Sequence, residues 1–303
     1  MIGEKTARGV FGETGVEYAE NYPLKGKCTY GTGGNADYAF FPKTAEEVVR
    51  LTETLKKCGE PYFFLGAGSN VLVSDEGYRG AVVFTEKLKG VSYSGKLATV
   101  RAGERLNSFI DDALMNSLGG IEFLSGIPAS VGGAVAMNAG CFGKNVGDYV
   151  SYVVSTDGIY TAENCGFGYR TSVFKETGVG IISVCFDLDN VEYEQSEGKI
   201  AKYRALRRSK VPKGRSCGSV FKNDGYFAGK VIESAGLKGF SIGGARVSDK
   251  HANFIIADDS ATSGDVYRLI SEIKKRTLEK CGVKLREEVE YIGSFDCGNV
   301  DKL

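Results

Sequence analysis

The sequence is short of histidine: His251 is the only one in 303 residues. A zinc motif of the H-E-x-x-H kind needs two, so that chemistry is excluded. A serine–histidine–carboxylate triad is formally open with one histidine, but proton transfer falls more naturally to Ser, Tyr, Lys, Cys or a carboxylate. Closely spaced cysteines are also missing. The eight cysteines (28, 58, 141, 165, 185, 217, 281 and 297) contain no C-x-x-C pair, which argues against a zinc site or a redox dithiol. Most read as buried thiols in a reducing compartment, with Cys217 set apart by its neighbourhood. Runs of 18 or more apolar residues are absent, so no membrane-spanning helix is expected. The acidic residues and missing apolar core of the first 21 positions argue against a secretory signal and for a cytoplasmic chain. Formal charge is zero, which removes any long-range attraction to nucleic acid or an anionic membrane.

What is abundant is glycine: 42 residues, about 14 % of the chain against a typical ~7 %. The glycines cluster at 31–34, 66–68, 119–147, 214–229 and 236–244 without a period. Glycine serves where the backbone takes positive φ or approaches a ligand closely, so several backbone-lined loops are expected. Apolar content of 42 % and charge of 25 % are ordinary for a chain with a real core and room for two or three domains.

Three helices are legible. Thr44 and Glu47 form a capping-box pattern ahead of Val48, Leu51 and Leu55, with Gly59 as the stop. Residues 104–117 place Leu106, Phe109, Ile110, Ala113 and Leu114 on one face. Residues 263–281 do the same with Val266, Leu269, Ile270 and Ile273 before Gly282. Strands are expected at 36–41, 61–65, 71–73, 80–84, 98–102, 150–155, 180–186 and 253–256. Helices and strands mix without strict alternation, which favours α+β over a doubly wound sheet. The charged stretch 192–215 reads as the joint between an N-terminal two-thirds and a C-terminal third.

Two loops suit an extended cofactor. Gly66-Ala67-Gly68-Ser69-Asn70-Val71 follows one strand and enters another, and its backbone N–H groups can form a concave anion site. It is not G-x-G-x-x-G, and no helix pattern follows, so a Rossmann reading fails. The second, 125–140, is too small in side chain to fill a core and too apolar for a linker. Packing against a flat ligand explains both properties; a glycine-rich buried turn is the alternative.

The succession G-G-N-A-D (33–37), L-G-A-G-S-N-V-L-V (65–73), G-I-P-A-S-V-G-G-A-V-x-M-N-A-G (126–140), Y-R-T-S-V-F-K (169–175), G-S-V-F-K-N (218–223), A-G-x-x-I-E-x-A-G-L-K-G (228–239), I-G-G-A-x-V-S (242–248), K-H-A-x-F-I (250–255) and E-V-x-x-I-G (288–293) resembles the UDP-N-acetylenolpyruvoylglucosamine reductase family, in its shorter branch. The resemblance implies an α+β chain: an FAD-binding unit of the PCMH/vanillyl-alcohol-oxidase type in two subdomains (1–90 and 91–200), then a substrate-binding domain (201–303). It implies that NADPH reduces bound FAD and that the enolpyruvyl group of UDP-N-acetylglucosamine-enolpyruvate is then reduced to give UDP-N-acetylmuramate.

The family's functional arginine, proton-donating serine and glutamate fall on Arg170, Ser219 and Glu288. Implied cofactor contacts are Gly66, Ala67, Gly68, Ser69, Asn70, Val71, Ser125, Gly126, Ser130, Val131, Gly132, Gly133, Ala134, Asn138 and Gly140. Implied substrate contacts are Tyr169, Lys210 and Asn223, with no metal. Asp224-Gly225 stands where the family often has Pro, and Glu290 where some relatives carry Arg. Residues 202–215 hold seven basic side chains and no acid, mostly a solvated face with one or two available to a phosphate. His251 reads as structural. An FAD-linked oxidase using oxygen and a flavin-free nucleotide-sugar binding module are the alternatives, the latter disfavoured by the two intact loops. Oligomeric state is not legible.

Overall fold

The computed structural model describes residues 11–12 and 14–295; Cys297 and the first ten residues lie outside the described residues. Strands in the first part are β1 (Tyr18–Pro23), β2 (Asn35–Phe40), β3 (Tyr62–Leu65), β4 (Val71–Val73), β5 (Tyr78–Phe84), β6 (Val91–Ser94) and β7 (Leu97–Arg101). The middle adds β8 (Leu118–Gly119), β9 (Gly140–Cys141), β10 (Lys144–Asn145), β11 (Val150–Ser155), β12 (Gly158–Thr161), β13 (Ile181–Asp187) and β14 (Asp189–Asn190). The last part holds β15 (Ser241–Ile242), β16 (Ala245–Val247), β17 (Ile255–Ala257) and β18 (Glu290–Ile292). Helices are α1 (Ala45–Cys58), α2 (Leu106–Met115), α3 (Val131–Ala136), α4 (Val173–Thr177), α5 (Tyr193–Lys210), α6 (Ala228–Ser234) and α7 (Ser263–Cys281). The class is α+β, as the sequence suggests.

The chain forms two compact units. Of the described residues, the first takes those up to 20, 38–67 and 80–207; the second takes 21–37, 68–79 and 208–295. In the first unit a five-stranded sheet runs in the order β12-β11-β13-β7-β6, with every pairing antiparallel. Its inner face carries Ala98, Val100, Val153, Val184 and Phe186 against Leu106, Phe109 and Ile110 of α2 and Val131 and Val135 of α3. The alternation of buried and exposed residues along β7 is what a half-buried strand requires. A second core gathers Phe40, Leu51, Leu55, Ala81 and Val83. It joins α1 to the sheet β1-β2-β5-β3, where β3 lies parallel to β5 from Tyr62–Ala81 to Leu65–Phe84.

The three helices legible in the sequence are present within two residues of their expected ends. Thr44 accepts from Glu47 N at 3.2 Å, but Glu47 Oε2 reaches back to Lys43 N rather than to Thr44. A complete capping box closes α7, where Thr262 and Asp265 bond reciprocally. Most of the stretch 192–215 is α5, an 18-residue helix. Only Ser196 and Ile200 of α5 are buried, so it lacks the apolar stripe that reveals a helix in sequence. Among the described residues no helix is long and apolar enough to cross a membrane.

In the second unit β15, β16 and β17 form an antiparallel sheet against which α7 packs, burying Val266, Leu269, Ile270 and Ile273. Strand β18 pairs parallel with β4, Glu290 beside Val71 and Ile292 beside Val73. That pairing brings the last described strand onto the end of the loop after β3.

Candidate active site

The first unit carries the long glycine loop and Arg170. Within the loop the structure places a helix, α3, where the sequence suggests an irregular segment. Ser130 caps it by accepting from Gly133 N at 3.2 Å. Several of its glycines are explained by the protein itself. A Cβ on Gly132 would stand 2.8 Å from Ala102 Cβ, and one on Gly140 would stand 2.2 Å from Asn145 Oδ1. Gly132 N donates to Ala102 O at 2.8 Å, and Val131 N to Glu104 O at 2.8 Å. These contacts fix the loop's shape independently of any ligand.

Other features leave room for one. Ser125 is fully buried, yet its hydroxyl has no hydrogen-bond partner among the described residues. A buried hydroxyl without a partner costs about 1–3 kcal/mol, so a polar group bound beside it would be stabilising. Gly66 packs directly on this loop: a Cβ there would lie 2.2 Å from Ser130 Oγ. Gly66→Ala is therefore expected to displace the Ser130 cap, worth about 1 kcal/mol, and to lower the melting temperature accordingly. A thermal melt checks this, and an unshifted variant would contradict the close approach.

Arg170 is a backbone outlier. Its φ of +57° lies in the left-handed region, which costs a non-glycine residue about 1 kcal/mol or more. The surroundings hold it there. Arg170 Nη2 donates to Gly140 O at 3.0 Å, and Lys175 Nζ donates to Arg170 O at 3.4 Å. Asn138, itself at φ +42°, donates to Gly168 O at 2.9 Å and accepts from Gly147 N at 3.0 Å. Ser172 donates to Ala136 O at 2.6 Å. The arginine turn is thus fastened to the C-terminal end of α3 and the residues just after it. Tyr169 is exposed, with the Arg170 guanidinium 5.4 Å from its ring.

Arg207, on α5, adds a further clamp. Its Nε donates to Ser125 O at 2.8 Å, and its Nη2 donates to Phe123 O at 3.1 Å and sits 2.8 Å from Cys141 Sγ. Arg204 makes a two-pronged bond to Asp111 at 2.7 and 2.8 Å. The basic run is therefore less solvated than its composition suggests.

The second unit carries the other end of the short loop, Ser219 and Glu288. Gly68 has φ +63°, and a Cβ there would lie 2.0 Å from Lys27 O; Thr29 N donates to Gly68 O at 2.9 Å. Asn70 Nδ2 donates to Glu288 O at 3.1 Å, and Glu290 N donates to Asn70 O at 2.9 Å. The Ser219 segment is paired to the stretch just before β18: Glu288 N donates to Val220 O at 2.7 Å, and Lys222 N to Arg286 O at 2.9 Å. Loop, serine and glutamate thus share one hydrogen-bonded patch of backbone, with Ser219 half-buried in it.

Asn223 is exposed and its Oδ1 accepts from Ala228 N at 2.9 Å, so its amide oxygen serves the start of α6. Lys210 is exposed at the end of α5. Where the family often has Pro, Asp224 ion-pairs with Arg286 and Gly225 turns at φ +74°. That gives the substrate-loop departure a definite shape.

Gly214–Gly218 has the spacing G-x-S-x-G, but no helix begins after it until Ala228, so it is not the strand-to-helix elbow a triad needs. His251 Nδ1 instead accepts from Asn253 N at 3.3 Å, and burial lowers its pKa. No group of three or more metal-ligating side chains occurs among the described residues, and the seven described cysteines are free.

The surroundings of Cys217 disfavour its thiolate. It is buried, and burial, with a smaller push from Glu288, raises its pKa to about 12 against the lowering effect of Tyr30. The thiolate is the nucleophile, so Cys217 should remain unmodified by iodoacetamide at pH ~8 in folded protein. Peptide mapping checks this; labelling of Cys217 before unfolding would contradict it.

Comparison with known proteins fits this geometry. A domain described as "FAD binding domain" matches residues 36–160, which defines the class: an FAD-binding oxidoreductase fold followed by a separate C-terminal domain. Residues 209–292 match "UDP-N-acetylenolpyruvoylglucosamine reductase, C-terminal domain". The reductase of Caldanaerobacter subterraneus subsp. tengcongensis is 39 % identical over 280 residues, covering 90 % of this chain and 93 % of that one. The Streptococcus thermophilus reductase is 40 % identical over 286 residues, covering 92 % and 94 %. A crystal structure of the reductase from Thermus caldophilus aligns with a TM-score of 0.78 at 35 % identity, over 91 % of this chain and 98 % of that one. The chain belongs to the UDP-N-acetylenolpyruvoylglucosamine reductase family.

Proposed function

We propose that this protein is a cytoplasmic UDP-N-acetylmuramate dehydrogenase, reducing the enolpyruvyl group of UDP-N-acetylglucosamine-enolpyruvate for peptidoglycan synthesis. The observation that carries the reading beyond family membership is the shared patch formed by Asn70, Ser219 and Glu288, with Glu288 N on Val220 O at 2.7 Å. Bound FAD, once reduced by NADPH, would supply the hydride for the terminal enol-ether carbon. The residues for holding FAD are Gly66, Ala67, Gly68, Ser69, Asn70 and Val71 of the short loop. From the long segment they are Ser125, Gly126, Ser130, Val131, Gly132, Gly133, Ala134, Asn138 and Gly140. The unpartnered Ser125 hydroxyl and the glycines of both loops fit such a group.

Each reacting residue has a separate task. Negative charge develops toward the substrate carboxylate, and Arg170 offers a planar two-pronged clamp that stabilises it more in the transition state than in the ground state. The adjacent carbon then takes a proton, and the Ser219 hydroxyl is its source. Glu288 lies beside the carboxylate in its protonated form or opposite a cation, because an unpaired carboxylate would repel the substrate. Tyr169, Lys210 and Asn223 contact the nucleotide sugar, with Lys210 on a phosphate. Residues 1–90 and 91–200 act as the two cofactor subdomains and 201–303 as the substrate domain, although 21–37 and 68–79 pack with the C-terminal third.

The purified protein should be yellow with FAD and oxidise NADPH only when the enolpyruvyl substrate is present. A colourless protein that cannot be reconstituted with FAD would contradict this reading, as would peroxide release independent of any UDP sugar.

A further inference from the structure

Asn253 is 2 % exposed and belongs to neither the reacting residues nor the loops. Its side chain makes a matched pair of bonds to one residue of the Ser219 segment. Oδ1 accepts from Phe221 N at 2.9 Å, and Nδ2 donates to Phe221 O at 2.8 Å. Its own carbonyl accepts from Val220 N at 2.9 Å, while its N–H donates to His251 Nδ1 at 3.3 Å. On the opposite side, Val220 O and Lys222 N bond to Glu288 N and Arg286 O. The segment that begins at Ser219 is therefore gripped from both flanks, one flank by an amide that imitates a neighbouring strand. Gly218 precedes the serine at φ +87°, and further back Arg215 is bridged to Ala257. The hold nearest the serine comes from residues 220–222.

We infer that Asn253 is a positioning residue for the proton-transfer half of the reaction, setting the Ser219 hydroxyl through the Phe221 backbone. The inference rests on Ser219 being the proton donor. A fork that both donates and accepts is required, because Phe221 presents both an N–H and a C=O, and burial leaves water no access to replace either bond. Alanine loses both bonds. Aspartate keeps the acceptor but, when ionised, sets a carboxylate oxygen against Phe221 O; when protonated, it restores the donor. The titratable or charged neighbours on the flanking segments are Lys222, Lys250, His251, Arg286, Glu287 and Glu288, so the wild-type pH profile is the reference for theirs.

The test uses FAD-loaded enzyme and separates the half-reactions in stopped flow. Asn253→Ala should slow flavin reoxidation by the enolpyruvyl substrate roughly ten- to a hundredfold, the scale of a ~1 Å misplacement, with reduction by NADPH within about twofold. Asn253→Asp should be as slow at alkaline pH and recover relative to wild type as the pH falls. Hydrogen–deuterium exchange, which needs no turnover, should show faster exchange at the Phe221 amide in Asn253→Ala. Equal slowing of both half-reactions, or an unchanged reoxidation rate beside a slow Ser219→Ala control, overturns the positioning role. A Ser219→Ala control that reoxidises normally overturns the donor assignment itself, and the inference with it.

Discussion

Replacing Ser219 with alanine is expected to slow reoxidation of the reduced enzyme by the enolpyruvyl substrate by about 10²–10⁴-fold, the usual contribution of a positioned proton donor. Reduction by NADPH should stay near the wild-type rate, because no proton passes through Ser219 in that step. The fold should survive, since the segment is held by backbone bonds at Val220 and Lys222 and by the Asn253 amide at Phe221 rather than by the serine side chain. Rapid mixing of each half-reaction separately reads the effect. Equal loss in both steps would refute the donor role and point to a serine that serves cofactor binding.

Arg170→Lys carries the second large effect. Lysine keeps the positive charge but presents a compact ammonium instead of a planar fork. Losing one preorganised donor to developing charge typically lowers kcat by about 10²–10³-fold, and a loss of that size is expected here with a smaller change in KM. The variant also drops the bond to Gly140 O. The turn itself should persist, because Asn138 and Ser172 tie it to Gly168, Gly147 and Ala136. An unshifted melting transition together with the fall in kcat separates chemistry from folding. A lysine variant within a few-fold of wild type would remove Arg170 from the reacting centre.

Local signals in the sequence located α1, α2 and α7, because each has an apolar stripe and a glycine or polar stop, and α1 and α7 also have a threonine cap. The polar helix α5 gave no such stripe, since it buries only Ser196 and Ile200. Helix α3 was hidden by its own glycines, which disfavour a helix locally and are admitted by the Ser130 cap and the close approach to Ala102. Arg170, Ser219 and Glu288 were legible only through resemblance to a family; composition disfavoured histidine and metal chemistry, and the glycine clusters pointed to backbone-lined loops without selecting these three residues. Asn253 stood at an unassigned position inside K-H-A-x-F-I. Its partner lies 32 residues away, and Asn70 reaches Glu288 across 218. Pairings over such separations leave no local period or spacing to read.

The most direct measurement is the flavin absorbance of the purified protein under anaerobic titration. NADPH should bleach the oxidised-flavin band stoichiometrically, and adding UDP-N-acetylglucosamine-enolpyruvate without oxygen should restore it with formation of UDP-N-acetylmuramate. A band that NADPH bleaches but only oxygen restores would contradict the proposed reaction.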